Sequence, residues 1–128
     1  MNINTINILV LAYMGDVIYE SYIREYLINN GINKVNQLQK EATKYVSARA
    51  QNNYLQQMLK QQILTEEEIK IIKRARNNKG NAHPRHTDIV TYKWATGLEA
   101  LIGYLYLMER KTRIEQLMTF IINLGGEK

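Results

Sequence analysis

The chain has 128 residues, 45% of them apolar, with 17 Lys and Arg against 12 Asp and Glu and no cysteine. That suffices for one hydrophobic core and one domain over residues 1–128, and it excludes disulfide frameworks and thiolate metal sites, which makes the cytoplasm the default compartment. No basic stretch followed by a small-residue cleavage site opens the chain and no apolar run is long enough to cross a bilayer, so neither export nor a membrane span is expected.

Helical periodicity runs through the whole sequence. The first predicted helix covers about Thr5 to Asn29, with Asn2 and Asn4 as candidate caps and Asn29-Asn30-Gly31 as the stop, where glycine suits a left-handed position. Its residues Ile8, Leu9, Leu11, Tyr13, Met14, Val17 and Ile18 make it apolar on nearly every side, which predicts a buried helix. Asp16 then needs a cation or hydrogen bonds to stay charged, and Gly15, which costs about 1 kcal/mol relative to Ala, signals close approach of a second helix. Glu20 and Arg24 form an acid-first pair four residues apart. A second helix is expected over Val35 to Ala50, continuing or re-starting through Tyr54 to Leu59. Thr65 with Glu68 three residues on is a capping box that starts a further helix, with Ile69, Ile71 and Ile72 ahead of Lys73-Arg74-Ala75-Arg76. Asn77 to His86, which holds Pro84, the only proline, reads as a loop. Thr87 or Asp88 caps the next helix, Ile89 to about Arg110, and a last amphipathic helix runs from Thr112 to about Leu124 and ends at Gly125-Gly126. No strand-like alternation appears. The class is an all-α bundle of five to seven helices.

Glu99 lies among small and apolar helical neighbours, Ala95, Thr96, Ile102 and Gly103. Either acid alone reads as readily as a core carboxylate bound to a cap or a lysine; as a pair, Asp16 and Glu99 on two glycine-notched helices favour one shared divalent cation. The net charge of +5 falls entirely between Lys73 and Lys93, where Lys73, Arg74, Arg76, Lys79, Arg85 and Lys93 face one acid, Asp88. This is the footprint of a surface laid on a polyanion, the alternative being a solvated basic loop. His83 and His86 flank Pro84 in the predicted loop and lack a third ligand, so a zinc site is not expected. Glu-x-x-His repeats are absent, and Ser21 and Ser47 are the only serines, which leaves little for di-iron or serine-nucleophile chemistry.

Leu11 to Glu20, with its Gly15-Asp16, resembles the signature helix of ribonuclease III catalytic domains. The stretch from Gly97 to Leu107 resembles the helix carrying their second metal-binding acid, and Val46-Ser47 looks like the middle of the helix between. The resemblance covers essentially the whole chain and leaves no room for a double-stranded-RNA-binding domain; with Lys73-Arg74-Ala75-Arg76-Asn77 ahead of the loop, it is closest in form to the short Mini-ribonuclease III branch. It implies a metal-dependent endoribonuclease that cuts double-stranded RNA and matures large-subunit ribosomal RNA precursor. Asp16 and Glu99 would be catalytic and hold Mg2+, with Mn2+ as substitute; the products would carry 5′-phosphate and 3′-hydroxyl ends; a ribosomal protein is a candidate further partner. It departs from the full-length pattern at Ala12 and Thr96, where acids are usual, which leaves two carboxylates of four. Most of the nine tyrosines read as core, with Tyr54 or Tyr92 as candidates to stack or hydrogen-bond on RNA. A homodimer is expected through the first helix, whose apolar surface exceeds what a small core needs, and the resemblance assigns Tyr13 as the aromatic plug of the contact. Two other readings remain: a non-catalytic RNA-binding or ribosome-assembly module, and a DNA-binding protein using Ile69 to Arg76 as a recognition helix, which leaves Asp16 and Glu99 without a role.

Overall fold

The computed structural model describes residues 2–80 and 88–126. The described residues form α1 (Ile8–Asn29), α2 (Val35–Val46), α3 (Ala48–Lys60), α4 (Glu66–Arg76), α5 (Ile89–Leu107) and α6 (Lys111–Gly126), and none forms a strand, as the periodicity predicts.

The enclosed helix is α5, not α1. From Ala95 to Leu105 every residue of α5 except Glu99 is buried, with α1, α3 and α4 packed around it. The apolar residues of α1 divide into two sets: Leu11, Ala12, Tyr19, Ile23 and Leu27 enter the core, whereas Val10, Tyr13, Val17 and Ile28 face outward. The expectation of a wholly buried first helix is thereby corrected, and with it the burial of Asp16, which is exposed. Periodicity counts apolar faces; it does not tell a face turned to the core from one turned outward.

The glycine notches meet as expected. A Cβ on Gly15 would overlap the carbonyl oxygen of Glu99, and one on Gly103 would overlap the carbonyl oxygen of Leu11, so α1 and α5 cross with backbone against backbone. Small residues permit such an approach, and the dispersion gained over the crossing offsets their poor helix propensity.

Helix ends show where local chemistry overrode the expected bounds. Asn2 closes a turn onto Asn4 and Thr5, and the cap of α1 is Asn7, whose side chain accepts from the Leu9 amide at 2.9 Å, so the helix starts at Ile8 rather than Thr5. Gly31 takes φ +93°, as the stop requires. Ser47 splits the second expected helix: its backbone is extended (φ −63°, ψ 151°), and its hydroxyl accepts from the Ala50 amide at 3.2 Å as the cap of α3. The Thr65–Glu68 capping box forms with both bonds, 2.9 and 3.1 Å. Asp88 caps α5, which stops at Leu107, short of Arg110, with Glu109 at φ +59°. α6 runs through Gly125-Gly126 instead of stopping before them, and a Cβ at Gly125 would strike the Tyr45 ring, so the glycine there serves close packing.

Among the described residues Glu68 is the acid whose side chain is closed to solvent. Arg113 of α6 grips it with two bonds of 2.8 Å and donates a third, also 2.8 Å, to the Ile63 carbonyl. Burial works against the Glu68 charge, but the Arg113 and Thr65 hydrogen bonds outweigh it and hold the carboxyl below its ordinary value. Among the described residues no helix is long and apolar enough to cross a membrane.

Because the obstacle at Gly103 is backbone rather than a yielding side chain, Gly103→Ala is expected to cost roughly 3 kcal/mol or more, at or beyond the upper end of ordinary overpacking. Urea unfolding measures it; a cost near zero would show that the crossing is looser than described.

Candidate active site

Asp16 sits on α1 one residue after Gly15, and Glu99 on α5 is the residue whose carbonyl faces Gly15. The close crossing therefore sets the two side chains side by side, and the Asp16 carboxyl comes within hydrogen-bonding reach of the Glu99 carboxyl. Asp16 lies at the exposed rim and Glu99 is half-buried behind it. Burial, then the Asp16 charge beside it, pushes the Glu99 carboxyl up to about 8; the Gln51 amide pulls the other way, and the Glu20 charge adds to the rise. Near neutral pH the pair accordingly keeps a proton on Glu99.

Gln51 was not singled out by sequence reasoning. It is 2% exposed and donates from Nε2 to Glu99 Oε2 at 3.4 Å. The available signal was its place at the head of the buried stripe Gln51, Tyr54, Leu55 and Met58, a polar residue in an apolar row that becomes visible once Ser47 is read as a cap. The two positions that depart from the four-acid pattern face inward: Ala12 is buried, and the buried Thr96 hydroxyl donates to the Tyr92 carbonyl at 2.9 Å. Glu20 is paired with Arg24 at 2.7 Å, the helix pair read from its spacing. Among the described residues no group of three or more Asp, Glu, His or Cys side chains gathers as a metal cluster. Two adjacent carboxylates with hard oxygen donors suit Mg2+, which binds through one or two carboxylates and retains waters.

The basic residues divide. Arg76, Lys79 and Lys93 line one cavity of about 460 Å³ with Asn77 and Val90. The Arg76 guanidinium lies over the Trp94 ring, 4.6 Å from its centroid, while its Nε donates to Asn77 Oδ1 at 3.1 Å. Arg74 is turned to the start of the chain, donating to the Ile6 carbonyl at 2.7 Å, and Lys73 is exposed on α4. Arg85, His83 and His86 lie outside the described residues. Tyr54 is buried with its hydroxyl on the Lys44 carbonyl at 3.1 Å, which removes it as a stacking residue; Tyr92 is half-buried. A larger cavity of about 670 Å³, lined by Ile18, Tyr22, Tyr106, Leu107 and Ile114 among others, contains neither acid. Tyr13 is 78% exposed, with Val10 and Val17 beside it on the outer face of α1.

Comparison with known proteins matches residues 9–110 to the ribonuclease III domain. Over 122 residues the chain is 48% identical to a Mini-ribonuclease 3 of Enterococcus faecalis, covering 95% of this chain and 92% of the relative. A Mini-ribonuclease 3 of Streptococcus pneumoniae is 45% identical, with 95% of each covered, and one of Staphylococcus aureus is 39% identical, with 99% and 95% covered. The crystal structure of a Fusobacterium nucleatum protein superposes with a TM-score of 0.83 at 35% identity, covering 94% of this chain and 95% of that one.

The raised Glu99 carboxyl has a consequence for stability. The folded chain holds a proton up to about 8 that the unfolded chain releases near the ordinary 4.5. In that window the folded state binds more protons, so the contribution is fully present below 4.5 and is lost as pH rises through about 8. Urea midpoints of the metal-free protein are expected to fall across this range, and Glu99→Gln to flatten the fall; equal slopes for the two would show that Glu99 ionises freely.

Proposed function

The chain belongs to the ribonuclease III family, in its Mini-ribonuclease 3 branch, and on that premise we propose that it is a metal-dependent endoribonuclease that cleaves double-stranded RNA, with large-subunit ribosomal RNA precursor as the natural substrate and the cytoplasm as its place of work. The observation that carries the proposal is the meeting of Asp16 and Glu99 at the glycine crossing of α1 and α5.

In this reading Asp16 and Glu99 hold Mg2+, or Mn2+ in its place. When bound, the ion activates water and neutralises charge on the scissile phosphate. Glu99 gives up its proton to become a ligand. Water adds at phosphorus and the bond to the 3′ oxygen breaks, so the phosphate stays on the 5′ end and a 3′-hydroxyl is left. Arg76, Lys79 and Lys93, with Lys73, Arg74 and Arg85 of the same basic segment, take the backbone phosphates. A-form duplex is read by shape across its shallow groove, a task for cations on a helical surface rather than for a stacking sheet. The active species is a homodimer through the outer face of α1: Val10, Tyr13 and Val17 expose apolar surface beside Asp16, and two centres related by a two-fold axis cut both strands. A ribosomal protein is a further candidate partner.

A second reading, a non-catalytic RNA-binding or ribosome-assembly module, draws on the inward-facing Ala12 and Thr96, which provide no acids. Cleavage of a labelled RNA duplex with and without Mg2+ separates the two. Asp16→Asn and Glu99→Gln are expected to lower cleavage by at least about a hundredfold, the scale of losing one electrostatic contact to a transition state, with the fold intact by circular dichroism. Near-normal cleavage by either variant would end the shared-cation reading. Tyr13→Ala is expected to move the protein toward monomer in sedimentation at micromolar concentration and to lower double-strand cutting; a wild-type monomer that cuts both strands would refute the dimer.

A further inference from the structure

We propose that Gln51 is a positioning residue for the Glu99 carboxylate, orienting it to receive the divalent cation; this rests on the metal-site reading above. Three polar side chains among the described residues are buried: Gln51, Glu68 and Thr96. Glu68 is committed to Arg113 and Thr65, and Thr96 to the Tyr92 carbonyl. Gln51 alone is directed at a candidate ligand, with Nε2 3.4 Å from Glu99 Oε2. An apolar residue would continue the stripe of Tyr54, Leu55 and Met58 as well, and burying a primary amide costs rotamer freedom and desolvation unless its hydrogen bond is made. The position is held from both sides. The Ser47 break fixes where α3 begins, the backbone N–H of Gln51 donates to the Ser47 carbonyl at 2.9 Å, and α3 packs directly on α5. A donor from a separate rigid helix restrains rotation of the Glu99 carboxyl, while Asp16 stands on α1 across the crossing.

The test is calorimetric titration of Mn2+ into the full chain without RNA, comparing wild type with Gln51→Met, which keeps length and removes the amide. Hydrogen-bond partners of metal-ligating groups commonly contribute 10–100-fold to affinity, so Mn2+ is expected to bind about that much more weakly to the variant. Cleavage should lose kcat at limiting metal, recover it at saturating metal, and keep its KM for duplex RNA. Should Gln51→Met fold poorly, Gln51→Leu offers a second packing, and the rise in Tm on adding Mn2+, taken against each variant's own metal-free Tm, removes any general loss of stability. Equal Mn2+ affinity in wild type and variant would make Gln51 a packing residue only and overturn the proposal while leaving the metal site standing. Absence of Mn2+ binding by wild type would overturn both.

Discussion

The crossing of α1 and α5 at Gly15 and Gly103 is the constraint on which the rest of the molecule depends. Each glycine faces a carbonyl of the other helix, so the spacing of the helices is set by backbone atoms and leaves little room for adjustment. That spacing brings Asp16 and Glu99 together, and it leaves Glu99 as the one residue between Ala95 and Leu105 not closed into the core. The carboxylate pair is thus a by-product of close packing: two helices this near must place the flanking side chains against one another.

The two kinds of acid in this fold illustrate how surroundings decide charge. The Glu68 side chain is closed to solvent, yet its carboxyl is held low because the Arg113 and Thr65 hydrogen bonds outweigh the cost of burial. Glu99 is pushed up, first by burial and then by the charge of Asp16 beside it, and the Gln51 amide offsets only part of that rise. A satisfied acid is a structural staple, whereas an acid kept beside its like is raised by the repulsion.

Much of this was legible in advance. Gly15-Asp16 and the Glu99 to Gly103 stretch announce the crossing, because glycine inside a helix is costly unless something comes near, and the Thr65–Glu68 box and Gly31 mark their helix ends through strictly local chemistry. The illegible parts depend on partners distant in the chain. Arg113 lies 45 residues from Glu68, and Gln51 lies 48 from Glu99, so neither pairing leaves a periodic trace. The exposure of Asp16 was misjudged because α1 has two apolar faces of similar composition, and only the position of α5 shows which one is covered. The second helix re-starts, one of the two readings its sequence allows, but at Ser47 and not after Ala50, because apolar spacing continues across the break and the serine hydroxyl on the Ala50 amide decides its place.

Trp94 is the only tryptophan in the chain, and the Arg76 guanidinium rests on its ring at the edge of the basic cavity. Indole emission responds to a cation against its face, so the molecule carries a single built-in optical reporter at the place where its positive charge is concentrated. A polyanion that draws Arg76 off the ring changes that emission with no label attached, and because no second indole contributes, the signal belongs to this one corner between α4 and α5.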